Sequence, residues 1–250
     1  MWDTLKEIFA PSRSLKKVDF YTLRAKIADW SKHQSYPSYA SLPSIIRFPS
    51  EFWSRINEIA RHTSGDGHER AVTVWWADKE FVVTENVRGE TDKILIPKQE
   101  IYVRYNPIAG TNRAERIITV NNDVYSKRSL SIHDMQRIKK VEVQFLFNMH
   151  THPPHVDPVT NQKGYAFFSS VDLKGFLTSP AAITGLVTDV LWILVKTSKS
   201  PRDFDGELSL ITTPEMLTKD LGLKVYRAEF GQGAFVQCPE LGFGYVDENN

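Results

Sequence analysis

Apolar residues recur along this chain with two periods, and each change of period marks a change of element. Trp2, Leu5, Ile8 and Phe9 lie at helical spacing until Pro11 ends the pattern. A second short helix is expected over residues 18–30, with Tyr21, Leu23, Ile27 and Trp30 among its apolar positions. Residues 35–44, rich in Ser, Pro and Tyr, read as a loop whose aromatics pack on the main body. A third helix is expected from Pro49 to about His62. Ser50 is its N-cap, Glu51 sits in its first turn, and Phe52, Trp53, Ile56, Ile59 and Ala60 form its buried side. Ser64-Gly65-Asp66-Gly67 then breaks the helical run.

From there the period shortens to two. Segments 71–76 and 80–85 flank Ala77-Asp78-Lys79 as a hairpin, and 93–96, 101–105 and 116–120 are further short strands. A helix capped by Ser131 is expected over 131–139, with Asp134 at the capping-box position. Segment 141–147 alternates as a strand. Val141, Val143, Phe145 and Phe147 face one way, while Glu142, Gln144, Leu146 and Asn148 face the other. Residues 154–168 are polar with a late aromatic cluster, and Ser169 opens a helix carrying Val171, Leu173, Phe176 and Leu177. Segment 190–195 is strand-like, followed by a helix near 214–221 and strands at 223–230 and 234–238.

Strands and helices interleave, but connections such as 77–79 are too short for parallel crossovers. The expected fold class is therefore α/β (α+β mixed), a mixed sheet flanked by helices. Residues 1–48 read as a helical N-terminal extension of unassigned role, and 49–250 as the main domain.

Composition narrows the chemistry. The net charge is +1, which gives no electrostatic case for nucleic acid or anionic membrane as a general partner. Cys238 is the one cysteine, so an intrachain disulfide and Cys-rich zinc sites are excluded, and a reducing compartment fits. The N-terminus lacks a signal-peptide pattern, and the apolar run 181–195 is too short to span a bilayer and contains Asp189. A cytoplasmic location is expected. Any metal chemistry falls to His, Asp and Glu.

Extending the strand count beyond Asn148 puts His150 and His152 on one face, where two imidazoles can serve one ion. Asp172 can supply a third ligand, and three protein ligands plus a water is the arrangement of catalytic zinc. Asp157 is a competing carboxylate nearer the histidines. Ser169-Ser170-Val171-Asp172 is also a helix capping box in its own right.

His150-Thr151-His152-Pro153 followed by Ser169-Ser170-Val171-Asp172 resembles the motif of the JAMM (MPN-plus, JAB-domain) metalloproteases. That pattern is an upstream Glu, His-Ser/Thr-His-Pro, seven residues, and Ser-x-x-Asp. Here fifteen residues separate Pro153 from Ser169, an insertion a loop tolerates because closure entropy grows slowly with length. The resemblance covers roughly residues 50–238 and implies a JAMM/MPN-like, cytidine-deaminase-like core. It implies one Zn2+ per chain on His150, His152 and Asp172. Glu69 becomes the general base, with Glu58 the alternative, and Ser169 the hydrogen-bond donor to the oxyanion. The implied activity is that of a zinc metalloprotease, a JAMM-type isopeptidase. Such an enzyme hydrolyses an amide bond at the C-terminus of ubiquitin or a ubiquitin-like protein, or in a peptide substrate.

Asn148 shares the face of the histidines and is a candidate for orienting a ligand. His155 reads as an exposed loop residue, and His33, His62, His68 and His133 have no partner at metal-site spacing. Amidohydrolase-like and PHP-type sites need further histidines downstream, and none follows His155. A non-catalytic MPN-type scaffold that binds a partner is the alternative from another class.

Overall fold

The computed structural model describes residues 16–77, 79–96, 100–107, 110, 114–121, 143–156, 161, 163–204 and 206–238. The expected helices at 2–9 and 131–139, and the candidates Asp157 and His133, lie outside the described residues. Thirteen described strands are β1 (Lys17–Asp19), β2 (Ile45–Arg47), β3 (Arg70–Ala77), β4 (Glu80–Arg88), β5 (Glu100–Pro107), β6 (Ala114–Asn121), β7 (Val143–Thr151), β8 (Pro154–Val156), β9 (Lys163–Tyr165), β10 (Ile183–Val187), β11 (Leu191–Val195), β12 (Lys224–Ala228) and β13 (Ala234–Gln237). The α-helices are α1 (Phe20–His33), α2 (Ser50–Asp66), α3 (Ser170–Thr178) and α4 (Pro214–Lys219).

Nine strands form one mixed sheet in the order β1-β2-β13-β12-β11-β10-β7-β3-β4, with β5–β6 and β8–β9 as separate hairpins. Within it β7 runs parallel to β10 and antiparallel to β3. The period-two alternation of β11 divides the core. Leu191, Ile193 and Val195 pack in one cluster with α1 and α2, while Leu194 packs in a second with Leu173, Phe176 and Leu177 of α3 and Leu217 of α4. Each face of the sheet is thus covered by helices, as a strand apolar on both sides requires. Among the described residues, no helix is long and apolar enough to cross a membrane.

Residues 16–48 do more than the helical extension expected from their sequence. They add β1 and β2 to one side of the sheet, and Phe20, Leu23, Ile27, Ile46 and Phe48 join the same core cluster as α2 and β7. Phe20 stacks on Phe48 with ring centroids 4.1 Å apart. Two three-residue strands carry too little periodicity to register in a sequence.

Three local expectations change. The N-cap of α2 is Pro49, and Ser50 is the first helical residue. The helix runs through Ser64 and Gly65 and stops at Gly67, whose φ of 70° the missing Cβ permits. Residues 93–96 join no ladder among the described residues, and 154–156 pairs with 163–165 as a hairpin.

The strict alternation expected for 141–148 is interrupted. The β3/β7 pairing passes from Val74↔Phe147 to Trp75↔Phe145, which leaves Leu146 as the extra residue of a bulge. Phe145 therefore meets Trp75 at a ring separation of 5.5 Å, whereas Phe147 packs among Phe20, Phe48 and Phe52. The bulge precedes Asn148, so the relation between His150 and His152 is untouched.

Candidate metal centre

The site forms where β7 ends. Ladders on both sides hold this strand as far as His150, which Ala71 and Leu186 flank, and His152 N–H donates to the Val187 carbonyl at 3.0 Å. His150 and His152 are spaced to share a face, and their Nε2 atoms stand 3.1 Å apart. After the β8–β9 hairpin, α3 carries the chain back to β10, the parallel neighbour of β7. This βαβ crossover brings the N-terminus of α3 to the carboxyl end of β7, the usual location of ligand sites in such units.

Asp172 is placed by helix capping. The Ser169 hydroxyl accepts from Asp172 N–H at 3.1 Å, and Ser169 N–H donates to Asp172 Oδ2 at 2.8 Å. The fixed carboxylate puts Oδ1 3.3 Å from His150 Nε2 and Oδ2 3.5 Å from His152 Nε2. His152 Nδ1 stands 2.9 Å from the Ala166 carbonyl oxygen. A carbonyl only accepts, so Nδ1 carries the hydrogen and Nε2 of the neutral ring presents a lone pair. Carbonyl partners of this kind are the usual orienting groups for metal-bound imidazoles.

The donor set fits a small cation. Ligand atoms about 2.0–2.1 Å from a shared ion at tetrahedral angles stand about 3.3 Å from one another. The three separations here are 3.1, 3.3 and 3.5 Å. His150, His152 and Asp172 are the group of the described residues whose donor atoms lie within 4.8 Å of one another. Both histidines are buried, so the lone pairs converging there need a proton or a metal ion between them.

Electrostatics agrees with that reading. Burial alone would raise Asp172, yet hydrogen bonding with His150 and His152, the charge of His150 and the Ser169 hydroxyl hold it well below the usual carboxylate range. Burial disfavours the imidazolium of His152, but Asp172, the Ala166 carbonyl and Glu69 together raise its pKa. Glu69 is pushed up chiefly by burial, with Asp172 and Asp92 adding to the shift against the opposing effect of His152 and His150.

Glu69 immediately precedes β3 and is 6 % exposed, with Oε1 3.8 Å from His152 Nε2. Its carboxylate has no hydrogen-bond partner among the described residues. It lines a groove of about 1310 Å³ together with His152, Asp172, Ser169, Asp92 and His155. Glu58, the other candidate, lies in α2 and bonds Arg55 at 2.6 Å on a different surface groove. The Ser169 hydroxyl donates to Asp172 Oδ2 at 2.7 Å, so meeting a substrate oxygen requires that bond to open. Asn148 Oδ1 accepts from the Thr73 hydroxyl at 2.8 Å. His155 is exposed, its ring against Gly164.

The sequence reading missed Thr151, whose hydroxyl joins β3 and α2 behind the histidines, and the Ala166 carbonyl. Thr151 sits inside the motif and carried a signal. A backbone carbonyl carries none. No protein-family model matches this chain, and no curated protein sequence matches it.

Proposed function

We propose that this chain is a zinc-dependent peptidase or isopeptidase of the JAMM type. In this reading it hydrolyses an amide bond at the C-terminus of ubiquitin or a ubiquitin-like protein. One observation carries the reading: the Glu69 carboxylate, which has no hydrogen-bond partner among the described residues, lines the groove 3.8 Å from His152 Nε2, beside three donors spaced for one ion.

Zinc bound there supplies Lewis acidity and brings the ionisation of its water down to about pH 7. Glu69 accepts the proton of the attacking water at its free carboxylate and delivers it to the leaving amine. Its raised pKa brings the carboxylate closer to the neutral range in which it must do both. The Ser169 hydroxyl, released from Asp172, donates to the substrate carbonyl oxygen as charge develops there, a contact worth roughly 3 kcal/mol. Residues 90–94 and 153–155 line the groove, which leaves room for a thin extended tail of the kind that pairs as a strand.

The test begins with elemental analysis of protein purified without added metal, for wild type and His152→Ala. It continues with cleavage of C-terminal ubiquitin-like fusions by wild type and Glu69→Gln. The expected result is zinc in the wild type alone, and cleavage that Glu69→Gln abolishes. Protein that takes up no zinc even when it is supplied would favour the non-catalytic scaffold and turn the search to partners.

A further inference from the structure

We propose that Thr151, the residue between the two histidines, is a positioning residue that holds Glu69 in register with the ligand strand. The kinetic consequence rests on the peptidase reading, whereas the hydrogen-bond geometry stands without it.

The β3/β7 ladder ends at Ala71↔His150. One residue further, Arg70 faces Thr151, and there a side chain takes the place of a backbone carbonyl. Arg70 N–H donates to Thr151 Oγ1 at 2.8 Å. The same hydroxyl shares a 2.7 Å hydrogen bond with Thr63 Oγ1 of α2. Thr151 and Thr63 are 1 % and 2 % exposed, so water cannot substitute for either partner. Thr151 points to the face opposite His150 and His152, which leaves both imidazoles free to serve the metal while the hydroxyl works behind them.

Glu69 depends on this backbone because its carboxylate has no hydrogen bond among the described residues, only the 3.8 Å approach to His152. Its N–H donates to the Glu90 carbonyl and its carbonyl accepts from Gly89 N–H, each at 2.8 Å, which ties it to the segment following β4. The Arg70 guanidinium grips Asp66 at 2.9 and 2.6 Å and closes the turn that carries Glu69. These contacts fix Glu69 relative to β4 and α2. The Arg70–Thr151 bond couples the next peptide directly to the strand that bears the ligands. A tenth of a nanometre of drift there separates base from reacting water, and misplacement of that size costs about 100-fold in rate.

The experiment compares wild type, Thr151→Val, which keeps the shape and loses the hydroxyl, Thr151→Ser, which keeps the hydroxyl, and Thr63→Val, which removes the bond to α2 and a 3.5 Å contact to the Arg70 guanidinium but keeps the Arg70 N–H bond to Thr151. Three readouts are taken: zinc affinity by chelator competition, hydrogen exchange at the Arg70 amide, and kcat and KM on a ubiquitin-like fusion. In Thr151→Val the Arg70 amide exchanges at least about tenfold faster. Zinc affinity shifts by less than about threefold, against about 10- to 100-fold for loss of a ligand's own partner. Its kcat falls about tenfold or more with KM nearly unchanged, while Thr151→Ser recovers and Thr63→Val stays near wild type.

An unchanged Arg70 amide in Thr151→Val overturns the proposal. So does zinc affinity falling in step with kcat, which would make Thr151 a support for the histidines instead. Wild-type protein that binds zinc but cleaves no fusion would sink the peptidase reading while the exchange readout still decides the register. If Thr151→Val does not fold, Thr151→Ala removes the same bond without adding a methyl group.

Discussion

His152 Nδ1 donates to the Ala166 carbonyl oxygen at 2.9 Å, so the opposite edge of the ring turns a lone pair toward His150 and Asp172. A residue at the foot of the β8–β9 hairpin thereby sets the tautomer of a candidate ligand at the end of β7. The fifteen residues between Pro153 and Ser169 include this hairpin, and its far end returns the chain to where the ring needs an acceptor.

Zinc added at about 100 times its Kd should raise the stability of the folded chain by about 2.7 kcal/mol. A chelator should reverse the gain. Thermal melts of wild type and His150→Ala test this; a variant that gains as much as wild type would place the ion elsewhere.

Glu69→Gln should keep its zinc and lose about 10²- to 10⁴-fold in kcat, the usual contribution of a general base. Its zinc content is the control, because Glu69 is outside the donor group. Full activity with zinc bound would remove Glu69 from the mechanism.

Ser169→Ala removes an N-cap and two of the hydrogen bonds that link Ser169 to Asp172. The expected cost is about 1 kcal/mol of stability, together with about tenfold weaker zinc binding from a looser carboxylate. Urea denaturation and chelator competition measure the two effects. If affinity is unchanged and only kcat falls, Ser169 acts on substrate alone.

Lys196 and Lys224 are almost completely buried, and burial lowers each amine to about 8 from 10.5. Lys196 Nζ donates to the Leu177 and Ser179 carbonyls, and Lys224 Nζ to those of Tyr39 and Leu42. Between the folded and unfolded values the unfolded chain binds more protons, so stability rises with pH, by about 3 kcal/mol per lysine over the full interval. Below pH 8 both states are protonated and the contribution is flat. Above pH 10 the buried Tyr226, raised by its own desolvation, works in the opposite direction because the unfolded phenol ionises first. Urea midpoints should therefore climb from pH 7.5 to 9.5, and Lys196→Met should climb less. Equal slopes would show that Lys196 is not the titrating group.

Much of the scaffold was legible because its signals are local. The hairpin around Ala77 and Lys79, the buried side of α2 and the capping box at Ser169 each follow from contacts within a few residues. The bulge at Leu146 was not, because Phe145-Leu146-Phe147 fits unbroken alternation as well as an interrupted one. The fault appears only when Phe145 must meet Trp75 while Phe147 fills the space between Phe20 and Phe52. Residues 93–96 look like a strand by composition but pair with no strand among the described residues, and β propensity without a partner strand makes no ladder.

The sequence by itself determined the pair His150 and His152, through strand periodicity, and the shape of Asp172 at the head of α3, through capping. Tertiary structure alone decided that these meet, that Glu69 and not Glu58 stands beside them, and that Thr151 and Ala166 hold them from behind. The physical reason is distance along the chain. A strand's period and a helix's cap are settled within one turn or pleat. The approach of Glu69, β7 and α3 depends on sheet order and on burial of both sheet faces, which no short window contains.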